Sequence, residues 1–72
     1  MVSSQNVVSR NVRTAMDLRG VTQKSLAEVL GITQQAMSMK LNGTRPLRIE
    51  ELEEIAGYLE VDAASLLARS AS

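Results

Sequence analysis

Cysteine and histidine are absent from this sequence of 72 residues. Without cysteine there is no disulfide framework and no thiolate chemistry. Without histidine the usual general base and the usual transition-metal ligand are missing. Aromatic residues are reduced to Tyr58. A core must therefore be built from Leu, Ile, Val, Met and Ala, which favours packed helices over a sheet sandwich. No apolar run approaches the ~18 residues of a membrane span. The first residues, Met1 to Asn6, have neither the basic region nor the apolar stretch of a signal peptide. A cytoplasmic protein is the expectation. There is no Gly-rich phosphate loop and no metal-ligand spacing. No cofactor, metal or catalytic residue is expected, and the chain is read as a non-enzyme.

The length bounds the chain at one small domain, residues 1–72, with an ordered core of about 5–69 and a thin interior. An apolar content of 44% argues against disorder. Residues 1–4 are expected to fray and Arg69 to Ser72 to be mobile.

Net charge is zero, which taken alone disfavours nucleic acid. Its distribution does not. Up to residue 48 seven basic residues stand against two acidic ones, a net +5, and from residue 49 one stands against six, a net −5. Such a split can present a positive face to phosphate while the other end points away.

The organising stretch is residues 22–43. Thr22 and Thr33 each precede a short amphipathic segment, and Gly31 and Gly43 each follow one. A threonine hydroxyl can accept from the free N–H groups of a first helical turn. A glycine can take the left-handed conformation that ends a helix. The spacing predicts helices over Gln23 to Leu30 and Gln34 to Asn42, joined by Gly31, Ile32 and Thr33 alone. So short a connection forces a sharp bend, the geometry of a helix-turn-helix. Leu26, Ala27 and Leu30 mark the buried face of the first helix, and Ala36, Met37 and Leu41 that of the second. The other face of the second carries Gln34, Gln35, Ser38, Met39 and Asn42. Amides donate and accept at once, and glutamine can pair bidentately with the N6 and N7 groups of adenine.

Three more helices are expected. The first runs from Gln5 or Asn6 to about Leu18, with Val8, Val12, Ala15 and Met16 inward and Gly20 stopping it. The fourth is Ile49 to Leu59, with a stripe of Ile49, Leu52, Ile55, Ala56 and Leu59. Its glutamates 50, 51, 53 and 54 read as a solvated face favoured by the helix dipole. Val61 packs after the turn. Asp62 caps a fifth helix from about Ala63 to Ala68, with Leu66, and Leu67 beside it, inward.

The run Gly20-Val21-Thr22-Gln23, then Leu26-Ala27, Leu30-Gly31-Ile32-Thr33-Gln34 and Asn42-Gly43 resembles the lambdoid phage repressor and Cro family of helix-turn-helix domains, also called the xenobiotic-response-element family. The resemblance spans roughly residues 7–67. It implies an all-α, five-helix, lambda-repressor-like fold with the helix-turn-helix as helices 2 and 3. It implies sequence-specific binding of double-stranded DNA by a transcriptional repressor or regulator. Helix 3 would lie in the major groove, with a homodimer on a palindromic operator. Position by position, Gln34, Gln35 and Met39, with Ser38 nearby, stand where relatives read bases. Met39 departs from the usual polar or basic residue and could meet a thymine methyl. Gln23, beside Lys24, stands where relatives touch phosphate, at a helix N-terminus that already favours anions. Relatives also use the loop after helix 3, here with Thr44, Arg45 and Arg48. Arg10 and Arg13 are further candidates on helix 1. Lys40 stands where relatives are often apolar; its stem is expected to cover the core while its ammonium reaches out. Arg48 replaces the usual Ser or Thr cap of helix 4. Tyr58, Leu66 and Leu67 are weak candidates for a dimer surface.

Two other readings use the same fold. An antitoxin would bind a toxin and its own operon. A protein-interaction module would have lost DNA binding; Met39 and the neutral net charge favour it, and the two glutamines oppose it.

Overall fold

Helix ends in this chain are set by one repeated hydrogen-bond arrangement. The computed structural model describes residues 4–68. They form α1 (Ser4–Arg19), α2 (Gln23–Leu30), α3 (Gln34–Leu41), α4 (Ile49–Leu59) and α5 (Ala63–Leu67). No strand occurs among the described residues. After α2, the Gly31 N–H donates to the Glu28 carbonyl at 3.2 Å and the Ile32 N–H to the Ala27 carbonyl at 3.0 Å. This nested pair is a Schellman ending, and it needs a left-handed residue at Gly31, whose φ is 69°. The same pairing closes α1 at Gly20 and Val21, α3 at Gly43 and Thr44, and α4 at Glu60 and Val61. At α4 the left-handed residue is not glycine: Glu60 has φ 58°.

The motif also favours an apolar residue just past the left-handed one, packed back on the helix. Val21, Ile32 and Val61 hold that place and are packed, partly buried, against the core. After α3 the residue is Thr44, polar and exposed. The N-termini behave as expected. Thr22 accepts from the Ser25 N–H at 3.2 Å, Thr33 from Ala36 at 3.1 Å and Asp62 from Ala64 at 3.1 Å. Arg48 cannot accept, because a guanidinium has only donors. Glu51 takes up the reciprocal half of that cap, its Oε1 accepting the Arg48 N–H at 2.9 Å.

One core joins all five helices: Val8, Val12 and Met16 of α1 meet Leu26, Met37, Leu41, Leu52, Ile55, Leu59 and Leu66. Each such side chain contributes about 1.5–3 kcal/mol by leaving water. α1 packs on α3, α4 and α5, and α2 packs on α3 and α4. Asn11 fastens α5 to α1, its Nδ2 donating to the carbonyls of Leu66 at 3.0 Å and Ala68 at 2.7 Å.

The structure corrects several sequence expectations. Ile49 is 59% exposed rather than inward. It lies on the correct side of α4 but one turn before the core begins, and Leu47 is buried from the preceding loop instead. Leu67 faces out, because the short α5 turns Leu66, with Ala63 partly buried, to the core and Leu67 away from it. Val7 is buried as well as the expected stripe of α1. Ala36 is only half-buried. α3 ends at Leu41, since Asn42 turns its Oδ1 onto the Thr44 N–H at 2.9 Å. α5 ends at Leu67, with Ala68 extended. The Lys40 ammonium does not reach out: it lies 3.1 Å from Glu51 Oε1. Glu51 is accordingly not part of a solvated acidic face, whereas Glu50, Glu53 and Glu54 are exposed. α1 begins at Ser4, within the stretch expected to fray. The expectations for residues 1–3 and 69–72 lie outside the described residues.

Candidate nucleic-acid interface

The bend between α2 and α3 decides what α3 can present. Gly31, Ile32 and Thr33 make the whole connection. Ile32 holds the corner against the core, while Met37 and Leu41 turn one side of α3 inward. The opposite side is left open. Gln34 and Gln35 are exposed in its first turn, and Ser38 and Met39 are half-buried one turn on.

Past α3 the chain doubles back. Met39's carbonyl accepts from the N–H groups of Thr44 at 2.9 Å and Arg45 at 3.1 Å. This returns Arg45 to the open side of α3. Thr33, Gln35, Ala36, Met39 and Arg45 together line a recess of about 320 Å³. Two candidate base readers and one candidate phosphate contact thus share one depression. Its floor includes the apolar Ala36 and Met39, and its rim carries an amide and a guanidinium. Gln34 and Ser38 belong to the same helix but not to the recess lining.

The sequence reading missed Thr33 and Ala36 as parts of this surface. In the sequence Thr33 reads only as a cap and Ala36 only as core. The available signal is spacing: Ala36 precedes Met39 by three residues, which makes the two neighbours on the surface of α3.

The remaining candidates stand outside the recess. Gln23 and Lys24 are exposed at the first turn of α2. Thr22 takes the N–H of Ser25 through its hydroxyl and that of Leu26 through its carbonyl. The N–H groups of Gln23 and Lys24 are left at the positive end of the helix dipole. Thr44 is exposed beside Arg45, and Arg48 is exposed at the cap of α4. Arg10 and Arg13 are exposed on α1. Lys40 differs from all of these, being enclosed and paired with Glu51. Arg19 leans the other way, donating to the Glu60 carbonyl at 3.3 Å.

Among the described residues no group of three or more His, Cys, Asp or Glu is placed to hold a metal ion. No described helix is long and apolar enough to cross a membrane.

With this geometry in view, the comparisons with known proteins are specific. The family model HTH_3, helix-turn-helix, matches residues 12–66. Two solved structures share the fold. One is the clp gene regulator ClgR from C. glutamicum, with TM-score 0.85 and 21% identity over 93% of this chain and 87% of that one. The other is the hypothetical transcription factor NHTF from Neisseria, with TM-score 0.83 and 24% identity over 93% of this chain and 77% of that one. No curated protein matches.

Proposed function

This chain belongs to the helix-turn-helix family HTH_3, and from that premise we propose that it is a transcriptional repressor that binds double-stranded DNA by sequence, with α3 in the major groove. Family membership supports a DNA-binding regulator rather than an enzyme. The observation that carries the finer reading is the shared recess of Gln35, Met39 and Arg45.

In this reading Gln34 and Gln35 meet base edges, and each good bidentate pair is worth about 1–3 kcal/mol of discrimination. Met39 and Ala36 offer an apolar surface to a thymine methyl, with Ser38 beside them. Arg45 reaches the phosphate that borders the same base step. Gln23 and Lys24 at the start of α2, and Thr44 and Arg48 beside Arg45, hold the backbone. Contacts of that kind fix register without carrying sequence information. So small a reading surface is selective in a genome only when doubled. A homodimer on palindromic half-sites one turn apart, about 34 Å, supplies that.

The test is selection from a randomised duplex library followed by sequencing. The winning duplex is then rebound at two salt concentrations with wild type and with Gln35→Ala. A palindromic winner, weakened by salt and relaxed at one base pair by Gln35→Ala, supports the reading. Absence of enrichment, with only weak salt-sensitive binding, sinks it and points to the protein-interaction alternative.

A further inference from the structure

Lys40 and Glu51 are charged side chains that the surface above does not use, and they are largely enclosed. They are 12% and 16% exposed, with Nζ 3.1 Å from Oε1, and they form the one ion pair among the described residues. The same Nζ donates to the Pro46 carbonyl at 3.3 Å. The same Oε1 accepts the Arg48 N–H at 2.9 Å. One pair therefore grips the backbone on both sides of Leu47, which is itself buried. The other end of the loop is held by Met39, whose carbonyl takes the Thr44 and Arg45 N–H groups. Arg45 stands exposed between the two anchorages and lines the recess with Gln35 and Met39.

Stability alone does not account for such a pair. Enclosing two charges costs about as much as their attraction returns, and an apolar pair of similar volume often serves as well or better. An apolar pair cannot, however, bind a carbonyl and an amide of the loop. We propose that Lys40 and Glu51 are positioning residues for DNA binding: their ion pair clamps Pro46 and Arg48 and so fixes Arg45 relative to Gln35 and Met39. The proposal rests on the DNA-binding reading above. A loop ordered before the encounter spares the complex the entropic cost of ordering it on binding.

The test replaces both residues in the full chain, Lys40→Met with Glu51→Leu, and reads two properties. In the free protein, amide hydrogen exchange at Thr44, Arg45 and Arg48 is expected to accelerate. The interior of α2 keeps its protection, and the thermal midpoint holds or rises. Against the selected duplex, affinity is expected to fall about tenfold, the equivalent of one charge-assisted bond. The salt slope becomes shallower by about one. Arg45→Ala added to the double variant then costs nothing further. A purely structural role predicts instead a lower midpoint and additive losses, and that result overturns the proposal. Wild-type affinity and loop exchange in the double variant overturn it alone, leaving the DNA-binding reading intact. A wild-type protein that selects no duplex overturns both. Should the double variant fail to fold, Glu51→Gln keeps the shape and an acceptor for Arg48 while removing the charge. Its loop exchange and affinity are expected to shift in the same directions, and unchanged values in both overturn the proposal.

Discussion

The hydroxyl of Ser9 donates to the carbonyl oxygen of Lys40 across 2.8 Å, joining α1 to the last turn of α3. Ser9 is only 2% exposed. The final carbonyls of a helix have no partner within it. At the end of α3, Ser38 receives the Asn42 N–H, and Met39 receives those of Thr44 and Arg45. The backbone bond that the Lys40 carbonyl takes from Gly43 is long, at 3.4 Å. Ser9 therefore ties down the last turn of the helix that carries the candidate base readers, and does so from α1.

Ser9→Ala removes that donor and leaves a poorly satisfied acceptor inside. The expected loss is about 1–2 kcal/mol. It should appear as a lower urea midpoint at unchanged slope. A midpoint equal to wild type would mean that the carbonyl finds water without rearrangement.

Two glycines should respond to alanine with opposite signs. Gly57 lies within α4, and nothing stands within 4 Å of a Cβ placed there. Alanine should stabilise the helix by about 0.5–1 kcal/mol through a less flexible unfolded chain. Gly31 has equal space but a φ of +69°, so alanine there should cost about 1–2 kcal/mol in backbone strain. Thermal midpoints that move in the same direction would contradict this account.

Glu60 occupies the left-handed place that glycine fills after the other three long helices. Its side chain is exposed, and Arg19 reaches its carbonyl rather than its carboxylate. Glu60→Gly should therefore stabilise by about 1 kcal/mol, the strain relieved less the added chain entropy. Calorimetry at fixed protein concentration would check it.

The candidate base and phosphate contacts predict different losses. Gln35→Ala should relax the preference at one base pair, at a cost of about 1–3 kcal/mol on the selected duplex alone. Arg45→Ala should weaken all duplexes nearly equally and reduce the salt slope by about one. Titrations on matched and scrambled duplexes at several salt concentrations separate the two patterns.

What could be read in advance was local. The bounds of α2 and α4 follow from Thr22, Gly31 and the stripe through Leu52 and Leu59, because caps and helical period act within a few residues. What escaped the sequence was set by partners far along the chain. Ser9 is polar within an apolar stripe, and only the carbonyl of Lys40, 31 residues on, explains it. Lys40 reads as a solvated cation until Glu51 is found beside it. Ile49 satisfies the period of α4, but period does not say where the core ends. Glu60 carries no mark of its left-handed backbone. In the candidate interface, the face of α3 was legible from its amides. The return of Arg45 to that face depended on the Met39 carbonyl, which no side-chain pattern reveals.

The packing of α1 sets an order of events during synthesis. The backbone of α1 runs beside α3, α4 and α5 rather than beside the neighbouring α2. A ribosome releasing this chain exposes Val8 and Val12 before any helix that covers them exists. The carbonyls that Asn11 grips belong to residues 66 and 68, so the lock on α1 is translated after α2, α3 and α4. A nascent chain stalled before α5 offers the apolar stripe of its first helix to chaperones and proteases. Emergence of α5, rather than of the helix-turn-helix, is the step that makes this fold durable.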